Sequence, residues 1–168
     1  IKNITCGEGG AIVTNNDTLA TLIRKKRILG IDHDSWHRRE NNLNQSYEIT
    51  TQGYRYHMSN INAAIGLAHF IKLQHFRSVK TKIVKSYNAA FSDINGISIL
   101  DWNLSETFPF IYIIRVLENK RDLLKIYLEK KGIATGINYI PNHLQPFFRN
   151  GPELPVTEKL YAEILTLP

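Results

Sequence analysis

The sequence predicts a mixed α/β protein, and three observations lead there. Apolar residues recur at helical spacing over 18–29, 61–91, 120–131 and 155–165. Runs rich in β-branched and aromatic residues, bounded by turn residues, stand at Ala11–Thr14, in "GISIL" and in "FPFIYIIRVL", with "IATGINYI" a further strand candidate. Between Ile31 and Ser59 neither period holds, yet Trp36, Tyr47, Tyr54 and Tyr56 make that stretch too aromatic for simple disorder.

Each element has a local reason. "GGAIVTNN" reads as a short strand closed by an Asn pair. Asp17 is the expected N-cap of a helix from Thr18 to Leu29, and Gly30 its stop. Ser59 or Asn60 caps a long helical pattern carried by Ile61, Ala64, Ile65, Ala68, Leu73 and Phe76 and continued by Val79, Ile83, Tyr87 and Phe91. Its length predicts a bridge between two lobes, with a kink between Lys72 and Phe76. "GISIL" and "FPFIYIIRVL" follow as strands. Leu123, Leu124, Tyr127 and Leu128 then mark a helix from Lys120 to Lys131, stopped by Gly132. "IATGINYI" is a third strand candidate ended by Pro141, "LQPFF" a single turn, and "PVTEKLYAEIL" a helix with Pro155 near its start. The second half thus reads β-β-α-β-α, a small α+β lobe, without internal repeats.

Composition narrows the function classes. The 168 residues carry 21 Lys and Arg against 15 Asp and Glu, a net charge of +6 that invites a polyanion partner. The cations form no long run, however. "RKKR" at Arg24–Arg27 lies among Leu19, Leu22, Ile23 and Ile28, so it reads as the solvated side of an amphipathic helix. No nucleic-acid partner is expected, and phosphorylated small molecules account equally well for the surplus charge. No apolar window of about 18 residues predicts a membrane span, and "IKNITCGEGG" lacks the apolar core of a signal peptide. The lone Cys6 fits a reducing compartment, so a cytoplasmic location is expected. The absence of an initiator Met points to a fragment or a missing start. His33 and His37 are four apart but have no convincing third ligand, and no metal site is expected.

The chemistry turns on "IKNITCGEGG". A phosphate loop needs its glycines before Lys-Ser/Thr and a helix after them. Here the lysine comes first and a strand candidate follows, so that reading fails. Two readings stay open: an exposed lysine ahead of a glycine turn, or a lysine held as a nucleophile toward carbonyl carbon, as in Schiff bases with pyridoxal phosphate. Cys6 reads as a small buried residue and Glu8 as a partner for backbone donors of the turn. His69 and His75 read as core-edge or surface histidines.

"KNITCGEGGAIVT" resembles the stretch around the cofactor lysine of the DegT/StrS (DegT/DnrJ-type) family of nucleotide-sugar aminotransferases. The likeness continues in order through "RILGIDHDSWHRR", "GYRYHMSNINAAIGLAHFIKL", "KKGIATGINYIPNHLQPFFR" and "LPVTEKLYAEILTLP". It implies a fold-type I α/β aminotransferase, with the chain as the C-terminal part of a longer protein. Residues 1–60 would end the large cofactor-binding domain, 61–92 form the interdomain helix, and 93–168 form a small, truncated α+β domain.

The resemblance also assigns roles. Lys2 would carry pyridoxal 5'-phosphate as a Schiff base and afterwards move a proton between the substrate carbon and the cofactor. Arg55 stands where many relatives carry Asn reaching the cofactor phosphate of the neighbouring subunit, and His57 where they carry Arg or Asn. Arg55 is apt for phosphate but departs from the commonest pattern, and the alternative for both residues is a solvated loop pair. Trp36 and Arg38 would enclose the nucleotide-sugar, by stacking and by holding a diphosphate. Tyr139 and His143 would lie at the substrate mouth. The implied reaction moves an amino group, with glutamate as expected donor, to a keto-deoxysugar nucleotide in amino-sugar or surface-polysaccharide synthesis, in a homodimer with shared active sites. The alternatives are a dehydratase on the same scaffold, whose lysine is replaced by histidine, and a non-catalytic dimerising or binding fragment. The chain alone is expected to be inactive, because the remaining cofactor contacts are expected upstream.

Overall fold

The computed structural model describes residues 2–32, 47–148 and 151–168. The chain forms two units: a larger one of Ile1–Asn3 with Lys72–Pro168, and a smaller one of Ile4–Ile71. The expected roles of Trp36 and Arg38 fall outside the described residues.

The smaller unit contains helices α1 (Asp17–Lys26) and α2 (Asn60–Ile71). Asn16, not Asp17, caps α1: its side-chain oxygen accepts from the Leu19 amide at 2.9 Å. The helix also ends before Leu29, because another segment takes its last carbonyls. The Tyr54 amide donates to Lys26 O at 2.7 Å, and the Tyr56 amide to Arg27 O at 2.9 Å. Gly30 turns the chain at φ +78, and a side chain there would put Cβ 1.9 Å from the Thr51 carbonyl oxygen, so glycine is required twice over. The expected strand at Ala11–Thr14 does not form. A strand needs a paired edge, and among the described residues this segment has no backbone partner, leaving Val13 92% exposed. Ser59 caps α2 as expected, accepting from the Asn62 amide at 3.2 Å.

The main segment of the larger unit opens with α3 (Leu73–Phe91), so the long helical pattern is interrupted at Lys72, within the window where a kink is expected. A three-stranded antiparallel sheet follows, in the order β1 (Ile97–Ile99), β2 (Tyr112–Val116) and β3 (Ile164–Leu167), with β2 central. Between β2 and β3 run helix α4 (Arg121–Lys130), two 3-10 turns (Asn142–Leu144 and Pro146–Phe148) and helix α5 (Pro155–Glu163).

Two sequence expectations change here. "IATGINYI" is not a strand: only Gly136 pairs, exchanging two backbone hydrogen bonds with Thr166. The place beside β2 is taken instead by β3, which the helical spacing had absorbed into "PVTEKLYAEIL". Register decides it. Leu165 pairs opposite Ile114, and the two are 0% and 1% exposed. Such burial is worth about 2 kcal/mol or more per side chain, well above the few tenths that separate helix propensities.

The core forms where β2 alternates. Tyr112, Ile114 and Val116 turn inward to meet Val84 of α3 and Leu165 of β3, with Tyr87, Phe91, Leu124 and Leu128 packed around them. At its margin Trp102 Nε1 and Thr166 Oγ1 are buried without a hydrogen-bond partner among the described residues, while other polar groups are paired. Glu163 accepts from Arg115 Nε and Nη2 at 2.8 and 2.6 Å, and Arg121 Nη1 donates to the Tyr161 and Ile164 carbonyls at 3.0 and 3.2 Å.

Candidate active-site residues and family membership

Lys2 belongs to the larger unit. Its side chain is exposed, and its ammonium sits 4.5 Å from the centroid of the Phe110 ring, within cation–π range. The next residue fixes the backbone there. Asn3 Nδ2 donates to the Phe108 carbonyl at 3.3 Å, and Asn3 Oδ1 accepts from Lys80 Nζ of α3 at 2.6 Å. No carboxylate pairs with Lys2 among the described residues.

Below Phe110, the chain enters β2 and the tyrosine cluster. Tyr112 donates to Asn88 Oδ1 at 2.7 Å and stacks on Tyr87 at 4.7 Å. Burial, and then the neighbouring Tyr87, push the Tyr112 phenol above its ordinary value.

The glycine turn after the lysine lies in the smaller unit, against the start of α2. Asn62 Nδ2 donates to Glu8 O at 2.9 Å, so Glu8 contributes its backbone carbonyl. Cys6 is half-buried, as a packing residue would be. A Cβ on Gly9 would fall 2.4 Å from Met58 Cε and 2.9 Å from Cys6 Sγ, so the turn needs glycine there for close packing.

Arg55 and His57 also lie in the smaller unit, and both are exposed. Arg55 pairs through its backbone with Ile28, while Tyr54 and Tyr56 stack on each other at 5.2 Å. Neighbouring side chains on extended backbone alternate in direction, so the two tyrosines share a face and Arg55 takes the other. Neither Arg55 nor His57 has an ion-pair partner among the described residues.

The last two expected residues differ from each other. Tyr139 is 66% exposed. His143 is largely covered, with Nε2 at 3.1 Å from Glu158 Oε1, and it lines a cleft of about 480 Å³ with Phe147, Phe148 and Leu154. No hydrogen bond, ion pair or ring contact among the described residues joins Lys2 to Tyr139 or His143. Sequence reasoning missed Asn3, Lys80, Phe110 and Glu158. Only Asn3 had a signal, its place beside Lys2.

The sequence model of the DegT/DnrJ/EryC1/StrS aminotransferase family matches residues 1–168. The chain belongs to this family. It is 33% identical to the uncharacterized protein MJ1066 of Methanocaldococcus jannaschii, over 99% of this chain and 46% of that protein. The chain therefore spans about half the length of the curated relative it matches. Its fold is similar to that of the sugar aminotransferase CalS13 of Micromonospora echinospora, with a TM-score of 0.81 and 24% identity over 100% of this chain and 44% of that one. It is also similar to PseC of Helicobacter pylori, an aminotransferase of pseudoaminic acid biosynthesis, with a TM-score of 0.79 and 22% identity over 100% of this chain and 45% of that one. The architecture is thus a portion of the fold-type I aminotransferase fold.

The DegT/DnrJ/EryC1/StrS aminotransferases depend on pyridoxal phosphate, and the residues of this member fit that group. Lys2 offers an exposed primary amine with no carboxylate partner among the described residues. Arg55 and His57 offer donors for a phosphate, uncommitted among the described residues. No helix among the described residues is long and apolar enough to cross a membrane.

Proposed function

We propose that the full-length protein is a cytoplasmic, homodimeric sugar aminotransferase that moves an amino group from an amino acid, with glutamate as donor, to a keto-deoxysugar nucleotide in surface-polysaccharide or other amino-sugar synthesis. The observation that carries this reading is the family match along the whole chain; Lys2, read as the cofactor lysine, has no acidic partner among the described residues. Lys2 rather than histidine weighs against dehydration.

Bound pyridoxal phosphate supplies an electron sink for charge developing on the substrate carbon. The chain's own residues do the rest. Lys2 Nζ would hold the group at rest and, once free, would be the amine that takes up and returns the proton of the substrate carbon. Arg55 and His57 bind the phosphate, across the dimer. His143, its ring tethered to Glu158, donates or accepts at the sugar hydroxyls, with Tyr139 beside the entrance. Trp36 and Arg38 enclose the nucleotide by stacking and by binding its diphosphate.

Borohydride reduction of the loaded full-length protein, followed by peptide mapping, should put the cofactor mass on the peptide containing Lys2. Lys2→Ala should abolish that adduct and lower turnover by several orders of magnitude. Retention of full turnover by Lys2→Ala would sink the reading. The 168-residue chain alone, given pyridoxal phosphate, glutamate and keto-sugar nucleotides, should not turn over.

A further inference from the structure

Lys2 and Lys80 rest on one short aromatic segment. Lys80 Nζ lies 5.7 Å from the Phe108 ring centroid, and Lys2 Nζ lies 4.5 Å from that of Phe110, two residues further on. Between them stands the Asn3 carboxamide. Its Oδ1 takes the Lys80 ammonium at 2.6 Å, and its Nδ2 reaches the Phe108 carbonyl at 3.3 Å. The backbone of residue 3 is thereby fastened to helix α3 on one side and to the strand-entry segment on the other. A carboxamide is suited to this, since it presents a donor and an acceptor at once. The Lys80 contact is charge-assisted and the stronger of the two. Among the described residues Lys80 has no carboxylate partner that would compete for it.

We infer that Asn3 and Lys80 are positioning residues for Lys2. They fix the backbone next to it, so that the amine is held over the Phe110 ring and presented in one direction rather than swept through the many rotamers of a free lysine. This inference deepens the proposed function and rests on it for the identity of Lys2 as the cofactor lysine. Neither Asn3 nor Lys80 touches the reacting atoms. Their effect is on where Lys2 Nζ waits, and misplacement of a reacting group by about 1 Å can cost roughly 100-fold in rate.

The test follows the Lys2 side chain directly. In the full-length protein free of cofactor, with lysine labelled at 13Cε, the Lys2 methylene signal should be displaced upfield by the Phe110 ring; Lys2→Arg assigns it. Asn3→Ala and Lys80→Met should move that signal to the position of an ordinary surface lysine, and Lys80→Arg should restore most of the displacement. In the loaded enzyme the same two variants should lower kcat about 10- to 100-fold and change the KM for sugar nucleotide less than threefold. A Lys2 signal that stays in place in Lys80→Met overturns the inference. So does a Lys80→Met variant that weakens only cofactor binding, because Lys80 would then be a ligand contact. Asn3→Asp, which keeps an acceptor for Lys80 but loses the donor to Phe108, should give an intermediate displacement even where Asn3→Ala folds poorly. Borohydride mapping on the same preparations separates the two readings. A cofactor adduct on another lysine refutes the role of Lys2 without moving its resonance.

Discussion

The two units bury their apolar side chains very differently. In the larger one, Val84, Tyr112, Ile114, Val116 and Leu165 form a sequestered core. In the smaller one, Gly30 is the one buried residue among those described, and α1 and α2 bury none. Ile61, Leu67, Phe70 and Ile71 of α2 all stand mostly in water. The smaller unit is held instead by backbone hydrogen bonds between the end of α1 and residues 54–56, and by the close approach of Gly30 to Gly53. Helical stability in proteins comes mainly from packing an apolar face. A helix as apolar as α2 with no buried residue is therefore the part of the chain with most to gain from a covering surface.

The largest expected effect breaks that contrast open. Leu165→Ala should cost about 2–5 kcal/mol, while the same truncation at exposed Leu67 should stay within about 0.5 kcal/mol. Urea titration followed by residue-resolved amide exchange measures both. Equal costs would mean that α2 is packed after all. Next in size, Gly30→Ala should cost more than about 1 kcal/mol locally, since its φ of +78 and the Thr51 carbonyl both oppose a Cβ. Amides of Tyr54 and Tyr56 should exchange faster, and those of β2 should not. Acceleration in β2 would show that the two units share one cooperative transition.

The smallest effect is a pH dependence confined to the larger unit. The Tyr112 phenol is held above its ordinary value of 10.0, so the folded state keeps its proton where the unfolded chain has lost it. Its contribution to stability is complete below about pH 10 and is lost as pH rises through the folded value. Tyr112→Phe should remove this alkaline slope while costing about 1 kcal/mol at neutral pH for the Asn88 hydrogen bond. An unchanged slope above pH 10 would reassign it to another tyrosine.

What could be read from the sequence tracks the same division. Elements whose cause is local were legible: α4 from its period, β1 and β2 from their composition, Ser59 as a cap. Elements whose cause is a distant partner were not. Ala11–Thr14 has strand composition but nothing to pair with, and Ile164–Leu167 continues a helical spacing until β2 captures it. The break at Lys72 was expected in place, though no Gly or Pro marks it. For the candidate site, it is the family motifs that single out Lys2, Arg55 and His57, and the structure adds that all three are exposed. The Asn3–Lys80 bond spans 77 positions and leaves no trace in local pattern. Glu158, the partner of His143, lies in a helix whose period concerns only its apolar face.

The pairing of β2 with β3 also has a consequence in time. Arg115 waits for Ile164, and Ile114 for Leu165, while helix α4 and both 3-10 turns are made in between. At roughly 5–20 residues per second of synthesis, the Tyr-Ile-Ile-Arg-Val strand spends several seconds with one flank unpaired and its inward side chains half covered by α3. Few stretches of the chain are better suited to pairing with the wrong neighbour. A nascent chain of this protein is therefore most in need of a chaperone in the interval between the emergence of Val116 and that of Leu167.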